Sequence, residues 1–339
     1  MTSNYSVTLQ INLAPSDWLH AKYILPHQLR QFGQQVDEIL LTLDLHRSPG
    51  RFSEGWQERL PKIKHLIHQC CDQYPYAQLK EVDYSPQVVT EVSNMFFGGR
   101  SIPPKDFRGG PFYSYFFGLY SAKNNYILHL DSDLMFGGGS TTWIGEAIDL
   151  LNEKPDVLLC GPFPGPPTVN GHLRSQVAEL EPHYSQAFRF SSLSSRYFLL
   201  DRNRFTSVVK KLPLKYASIR GIIKALLEGN YPYNLPEEIF TEAMQNNSLH
   251  RVEFLGKSPG MWSLHPPYRS KNFYDSLPEL IQKVELEDIP EAQRGFHDVN
   301  DSLVDWSSSR AELIQNRWWK RLGKQWQQKL LNYRTKTSV

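Results

Sequence analysis

Two carboxylates stand where they could hold a divalent cation. Asp131 and Asp133 lie one residue apart at the end of the apolar run 127–130, within the sequence Tyr-Ile-Leu-His-Leu-Asp-Ser-Asp. Carboxylates this close repel each other unless a cation lies between them or water screens them. Their hard oxygen atoms suit Mg²⁺ or Mn²⁺ carrying a phosphorylated substrate. The pair therefore predicts a metal site, and the alternative is a solvated acidic turn that caps the next helix.

A second acidic pair could supply a general base. Glu237 and Glu238 directly follow Pro236, a residue that favours the first position of a helix. A carboxylate there can accept the proton of an attacking hydroxyl group. The alternative is structural, because acidic side chains in the first turn also interact favourably with the helix dipole.

Further polar residues could complete such a site. His265 precedes two prolines in the run 260–269, and its imidazole would complete a mixed oxygen and nitrogen shell around a metal, although a single histidine is more often structural. Arg100, Lys105 and Arg108 precede the acidic strand. They could clamp a diphosphate, and each could equally be a solvated surface group.

The elements that must position these residues alternate between strand and helix. The run 127–130 is short and almost entirely apolar, which suits a strand buried on both faces. Open α/β sheets bind ligands at the carboxyl ends of such strands. The spacing predicts an α/β fold with a mostly parallel sheet and right-handed crossovers. Expected strands cover 5–14, 38–43 (ending at Asp44), 78–82, 127–130 and 157–160, and expected helices cover 18–32, 56–73 and 112–122.

The regular alternation of strand and helix patterns ends after Cys160. The Pro- and Gly-rich stretch 161–171 predicts an eleven-residue loop, either a surface connection or a wall of the second substrate's pocket. A strand within 195–201 and helices near 203–211 and 218–228 are expected to follow. No G-x-G-x-x-G follows the first strand and no P-loop sequence occurs, which argues against ordinary dinucleotide-binding and P-loop proteins.

Composition narrows the class of protein. The 339 residues carry a net charge of only +2, yet 310–339 hold eight Lys or Arg against one acidic residue. The remainder is mildly acidic, so no nucleic-acid partner is expected. Three cysteines, two of them adjacent, cannot form a disulfide framework and indicate a reducing compartment. With no signal peptide pattern and no long apolar run, the expected location is cytoplasmic.

The basic tail has an amphipathic pattern. Apolar residues recur every fourth position, among Arg and Lys: Ile314, Trp318, Leu322, Trp326 and Leu330. The pattern predicts a helix over 310–339 whose tryptophans and cations could dock on an anionic membrane surface, on its inner face. The alternative is that the apolar stripe packs on the rest of the protein. RNA binding is disfavoured because the remaining surface is acidic.

Together these features resemble a GT-A-fold glycosyltransferase of the family 2 type, over roughly residues 5–275. Residues 126–133 resemble its strand leading into the metal-binding D-x-D, here Asp131, Ser132 and Asp133. The first strand with 12–17, and the second strand ending at Asp44, are similar to its nucleotide-binding start. Residues 194–205 resemble its acceptor-side strand and helix. The Leu-Pro-Glu-Glu-Ile-Phe stretch resembles the start of the helix that carries its catalytic base.

The resemblance implies a catalytic domain over 1–275, a connecting segment over 276–309 and the basic helix over 310–339. It implies a metal-dependent, inverting transfer of sugar from a UDP- or GDP-linked donor to a glycan or lipid-linked acceptor. Mn²⁺ or Mg²⁺ would be held by Asp131 and Asp133, with His265 as third ligand. Glu238 or Glu237 would be the base. Contacts to the donor would come from six residues: Asn12, Asp17, Asp44, Arg100, Arg108 and Ser132.

The sequence departs from this family in two places. The first strand lacks Pro-x-Tyr-Asn, and Asp44 is not followed by a second Asp and Gly-Ser, which leaves the nucleotide contacts open. Glu-Glu replaces Glu-Asp, so the choice of base is open too. One rival function is a sugar-nucleotide nucleotidyltransferase, but residues 12–20 lack its Gly-rich, Arg-containing loop. The other rival is a catalytically silent glycan-binding scaffold.

Overall fold

The computed structural model describes residues 5–48, 55–174, 176, 178–182 and 184–315. Eleven strands within these residues form one sheet system. In chain order they are β1 (Val7–Leu13), β2 (Glu38–Leu43), β3 (Ala77–Glu81), β4 (Tyr126–Asp131), β5 (Met135–Gly137), β6 (Val157–Pro164), β7 (Glu179–Leu180), β8 (Ala187–Phe190), β9 (Tyr197–Asp201), β10 (His250–Phe254) and β11 (Trp262–Leu264).

Parallel strand pairs lie on both sides of the middle strand of the sheet. Its order is β3-β2-β1-β4-β9-β6-β10-β8-β7, with β11 joining β6 to β5. Strand β1 pairs in parallel with β2 and β4, and β6 pairs in parallel with β10. Strand β9 lies antiparallel between β4 and β6. The expected fold class, an α/β protein with a mostly parallel central sheet flanked by helices, is confirmed.

Ten α-helices cover the sheet within the described residues. They are α1 (Trp18–Phe32), α2 (Trp56–Gln73), α3 (Pro86–Phe97), α4 (Tyr113–Ser121), α5 (Trp143–Glu153), α6 (Arg202–Val209), α7 (Ile219–Glu228), α8 (Pro236–Asn246), α9 (Lys271–Glu285) and α10 (Ser307–Gln315). One core lies between the sheet and α1, α2 and α5. The other lies between the sheet and α3, α4, α6 and α8.

Strand β4 shows why the central strands read as continuous apolar runs. Leu128 and Leu130 point into the first core, and Ile127 points into the second. Both faces of β4 are therefore buried, as its composition predicts. Asp131 is the last residue of β4, and it lies where the strand leaves the core.

The loop predicted over 161–171 is wrong in its first part. Residues 161–164 continue β6 and are buried, because β11 pairs alongside them. The amides of Phe163 and Gly165 donate to Met261 and Ser263, at 3.0 and 2.9 Å. The prolines occupy the alternate positions, where the missing N–H costs this pairing nothing.

The segment expected to connect domain and tail, 276–309, packs on the domain. Most of α9 lies within it, and Leu277, Ile281 and Trp306 join a third core that also contains Met135 and Trp262. The tail helix is described only as far as Gln315, so most of the amphipathic pattern predicted over 310–339 lies outside the described residues. None of the helices among the described residues is long and apolar enough to cross a bilayer.

Candidate active site

The carboxyl ends of β1 and β4 bring two predicted site residues together. Asn12 lies opposite Asp131 in the register of these strands. The Oδ1 atom of Asn12 accepts hydrogen bonds from Gln10 Nε2 at 2.8 Å and Thr42 Oγ1 at 2.6 Å. Its Nδ2 is buried and has no partner among the described residues. A buried amide without an acceptor is costly, so this group suits a ligand at the edge of the sheet.

Asp131 keeps its carboxylate partly exposed at this edge. Its backbone amide donates to the carbonyl oxygen of Arg196 at 2.7 Å. The carboxylate Oδ1 lies 3.6 Å from His129 Nε2, and 32% of the side chain is accessible. Asp131 is therefore available to a ligand entering from solvent.

Asp133 is buried and already paired with a cation. Arg269 donates to its Oδ2 from Nη2 at 2.5 Å and from Nε at 3.1 Å. The same guanidinium lies 3.6 Å from Asp17, whose other oxygen accepts from the amide of Ala14 at 2.9 Å. Burial by itself would raise the pKa of Asp133, but Arg269, His265 and His20 together hold that pKa below its ordinary value. Burial raises the pKa of Asp17, and Arg269 opposes this rise.

His265 is oriented by a second carboxylate. Its Nδ1 lies 2.8 Å from Asp298, and its Nε2 lies 3.9 Å from Asp133. Each ring nitrogen of His265 therefore faces a carboxylate, Nδ1 that of Asp298 and Nε2 that of Asp133. A carboxylate that orients a histidine in this way is typical of metal ligands.

The donor set fits a hard divalent ion. Within the described part of the chain, no three His, Cys, Asp or Glu side chains converge as a ready metal cluster. Mg²⁺ usually binds through one or two protein ligands and takes the rest from water and substrate phosphates. Asp133 and His265, with Asp131 at the open edge, would hold the ion under that rule.

Ser132 lies behind this group. It is buried, and its Oγ lies 3.1 Å from Nε2 of His20 on α1. Burial lowers the pKa of His20 to about 3, so the ring is neutral. The hydroxyl of Ser132 therefore joins a buried network that positions the loop between Asp131 and Asp133.

The two adjacent glutamates occupy different environments. Glu237 lines a polar cavity of about 280 Å³, whereas Glu238 is exposed and is not part of its wall. Burial raises the pKa of Glu237, Arg196 and Arg251 oppose this, and Glu238 and Asp131 add to it. A partly buried carboxylate with a raised pKa beside a cavity has the properties of a general base.

The cavity contains buried polar atoms without partners. Glu253 accepts a hydrogen bond from Tyr197 at 2.8 Å through Oε1, but its Oε2 has no partner among the described residues. The same holds for Nε2 of His297 and for Nε of Arg251, which lies 3.3 Å from Glu253 without hydrogen-bond geometry. All three residues are less than a tenth exposed. Such groups await a polar ligand.

The acidic residues at the end of β4 and the cavity lined by Glu237 belong to one continuous site. Arg196 lies in the wall of the 280 Å³ cavity, and its carbonyl oxygen holds the backbone of Asp131. Asp298 also lies in that wall and orients His265. A larger cavity, of about 450 Å³, contains none of the predicted site residues.

Three further predicted donor-binding residues are Asp44, Arg100 and Arg108. Asp44 follows β2 at the same edge of the sheet, where its amide donates to Leu13 at 2.8 Å. Asp44 accepts a bond from Lys105 Nζ at 2.6 Å, and both side chains are buried. Lys105 thus neutralises Asp44 in this structure. Arg100 and Arg108 are exposed. The structure records no contact between either of them and Asp131 or Asp133, so their role with a diphosphate stays a prediction.

Six site residues were not predicted from the sequence: Arg196, Arg251, Glu253, Arg269, His297 and Asp298. Arg269 ends the run that contains His265, and Arg196 lies within the 194–205 stretch, so both had a signal. Arg251 and Glu253 alternate along a strand, which places them on one face. His297 and Asp298 lie beyond the expected end of the domain, and no local pattern marks them.

No family model and no curated protein matches this chain. Among solved structures, it is similar to S. aureus TarS 1–349, with 12% identity and a TM-score of 0.39 over 85% of this chain and 67% of that one. TarS 1–349 in complex with UDP-GlcNAc gives 11% identity and a TM-score of 0.40, over 85% and 68%.

A second solved protein is similar to the same extent. It is glucosyl-3-phosphoglycerate synthase from Mycobacterium tuberculosis in complex with Mn²⁺, UDP and phosphoglyceric acid. The identity is 11% and the TM-score 0.36, over 85% of this chain and 81% of that one.

Proposed function

We propose that this protein transfers a sugar from a nucleotide-sugar donor to an acceptor hydroxyl group. One observation carries the proposal. The partly buried Glu237 lines a polar cavity whose wall includes Arg196, and Arg196 holds the backbone of Asp131 at the carboxyl end of β4. A candidate base and candidate metal-binding carboxylates therefore share one site.

The donor diphosphate would lie at the edge formed by Asn12, Asp131 and Asp133. The unpartnered Nδ2 of Asn12 would donate to the nucleotide. Arg269 supplies a permanent positive charge beside Asp133. A Mn²⁺ or Mg²⁺ ion held by Asp133 and His265, with Asp131, would neutralise charge that develops on the leaving diphosphate. The sequence resemblance implies a UDP- or GDP-linked donor.

The acceptor would lie in the 280 Å³ cavity. Its wall combines carboxylates (Glu237, Glu253 and Asp298) with the guanidinium groups of Arg196 and Arg251. Carboxylates accept from hydroxyl hydrogens and guanidinium groups donate to hydroxyl oxygens, so the lining suits a polyhydroxyl compound. This chemistry agrees with a glycan or a lipid-linked sugar as acceptor.

The proposed reaction is a direct displacement. The carboxylate of Glu237 takes the proton of the acceptor hydroxyl while its oxygen attacks the anomeric carbon from the face opposite the diphosphate. The new glycosidic C–O bond forms as the bond to the diphosphate oxygen breaks, and the nucleoside diphosphate leaves. The configuration at the anomeric carbon inverts. A positioned general base usually contributes about 10²–10⁴ in rate.

Calorimetry with UDP and with GDP, each with and without Mn²⁺, tests the donor side. We expect one nucleotide to bind, more tightly with Mn²⁺, and the binding to weaken in Asp133→Asn. A panel of donor sugars assayed for nucleotide release then tests the reaction. Binding without any turnover would favour the glycan-binding scaffold. Pyrophosphate release from a nucleoside triphosphate and a sugar phosphate would favour the nucleotidyltransferase.

A further inference from the structure

Helix α7 presents its large apolar side chains to solvent. Ile219 is 78% exposed, Ile223 48%, Leu226 68% and Leu227 51%. These residues follow helical spacing and form one face. Exposed apolar residues are ordinary when single, but a contiguous stripe of four marks an interaction site.

The inner face of α7 is built from small residues. Gly221 and Ala225 are buried. A Cβ atom at Gly221 would lie 2.8 Å from Ala217 Cβ and 3.1 Å from the ring of Phe107. Helix α7 therefore packs closely on the protein through its small residues, and its large apolar residues are free for a partner.

Two exposed tyrosines flank α7 in the sequence. Tyr216 is 63% exposed and Tyr231 is 42% exposed. Tyr216 also stacks on Tyr233, with ring centroids 4.9 Å apart. Tyrosine is enriched where an apolar surface meets water, because the ring is apolar and the hydroxyl is polar.

Cations are frequent in the stretch of sequence that contains α7. Residues 207–234 contain five Lys or Arg and a single acidic residue, Glu228. Lys210, Lys211 and Arg220 are exposed. Lys215 pairs with Glu242 at 2.6 Å. Lys224 pairs with Glu228 at 3.7 Å, so Lys210, Lys211 and Arg220 supply the excess positive charge of this stretch.

We propose that the α7 face, defined by Tyr216, Ile219, Ile223, Leu226, Leu227 and Tyr231, docks on an anionic lipid surface. An apolar stripe that enters the interface, flanked by cations that meet lipid headgroups, has the chemistry of an interfacial membrane helix. None of these six residues lines the 280 Å³ cavity that contains Glu237, so the inference does not depend on the proposed function.

Charge argues against two other occupants. A second copy related by two-fold symmetry would bring the same excess positive charge against itself. The segment 316–339 carries seven Lys or Arg and no acidic residue, so it would be repelled from this face. Both observations leave a negatively charged partner, and a lipid surface also satisfies the apolar stripe.

A short stretch of chain connects the α7 face to the candidate base, Glu237. Residues Ala217 and Asn234 donate to the backbone oxygens of Pro232 and Lys215, at 2.9 Å each, and close the base of the excursion that carries α7. Helix α8 and Glu237 follow directly. Docking through α7 would therefore hold the acceptor cavity close to the lipid surface.

Vesicle flotation of the full chain tests the proposal. We expect binding to phosphatidylcholine vesicles containing a quarter phosphatidylglycerol, and little binding to pure phosphatidylcholine. Leu226→Glu should lower the partition coefficient about tenfold or more, because it places a charge in the apolar stripe. Leu286→Glu is the matched control: Leu286 is 69% exposed on α9's end, against 68% for Leu226, and should bind as wild type.

Each contrary result is decisive. Equal binding of Leu226→Glu and Leu286→Glu to anionic vesicles overturns the proposal. The two variants would also bind equally if residues 316–339 alone carried the binding, so that case overturns it too. Binding to neutral vesicles as tight as to anionic ones also overturns it. So does an absence of vesicle binding together with self-association that Leu226→Glu abolishes in sedimentation velocity. Matching thermal unfolding curves for the two variants establish that both are folded.

Discussion

Nη2 of Arg269 lies 2.5 Å from Oδ2 of Asp133, so the buried acidic residue of the Asp-Ser-Asp motif is already neutralised by the protein's own cation. Two like-charged carboxylates, Asp133 and Asp17, thereby share one guanidinium group. A divalent ion at Asp133 must bind beside Arg269 or take its place. In both arrangements, Asp133 and Arg269 determine the local charge beside a bound donor diphosphate.

Removing the Arg269 cation should destabilise the protein. Arg269→Met leaves the carboxylate of Asp133 buried and unpaired, and we expect a loss of about 1–3 kcal/mol in the free energy of unfolding, discounted because Arg269 is over a third exposed. Denaturant unfolding at neutral pH measures it. The control is Arg174→Met: Arg174 is similarly exposed, at 42%, but its partner Glu291 is 64% exposed, so the loss should be below about 1 kcal/mol.

The sign of the pH dependence follows from the lowered pKa of Asp133. A carboxyl whose pKa is lowered on folding contributes stability above its ordinary pKa, and this contribution is lost as the pH falls through the folded-state value. The difference between wild type and Arg269→Met should therefore narrow below about pH 4. A difference that widens on acidification would contradict the pairing.

Asp298 should act on metal affinity through His265. Asp298→Asn weakens the contact that orients the imidazole, and such changes typically cost about 10–100-fold in metal affinity. Calorimetric titration with Mn²⁺ measures this metal affinity. Asp301→Asn is the control, because Asp301 is similarly exposed, 55% against 58%, and pairs with Arg310 instead. Equal Mn²⁺ affinities of the two variants would remove His265 from the ligand set.

Arg196 should determine the pH at which activity falls on the acidic side of the pH–rate profile. A base must be ionised to accept a proton, so activity should fall as the pH drops through the raised pKa of Glu237. Arg196 opposes that rise, so Arg196→Met should move the limb to higher pH. The pH dependence of kcat/KM measures the shift. A limb that stays in place, or moves to lower pH, would contradict the assignment.

Local patterns predicted the first half of the fold well. The bounds of α1, β2 and α2 follow from their periodicity, because each element buries one face or both against the adjacent layer. The continuation of β6 through residues 161–164 could not be predicted. Its prolines resemble a loop, and only the non-local pairing with β11 makes the stretch a strand.

The candidate site was predictable where it is local in sequence. Asp131 and Asp133 follow a buried strand, and Glu237 begins a helix. Arg269 reaches Asp133 across 136 positions, and no local pattern records such a contact. Likewise, the sequence leaves Glu237 and Glu238 equivalent, and their different environments arise from tertiary packing.

The ion pair between Asp44 and Lys105 should be structural. Both side chains are 6% exposed, so Lys105→Met would leave an unpaired buried carboxylate and cost about 3–5 kcal/mol. Lys62→Met is the control, because Lys62 pairs with Glu58 at the surface and should cost about 0.5 kcal/mol or less. Denaturant unfolding compares them. Similar losses in both variants would show that the buried pair contributes no more than a surface pair.

The most direct test of the account is the rate of glycosyl transfer in Glu237→Gln, measured with the donor identified by the panel. We expect turnover to fall about 10²–10⁴-fold with nucleotide affinity unchanged, while Glu238→Gln stays close to wild type because its side chain lies outside the cavity. Wild-type turnover in Glu237→Gln would contradict the account.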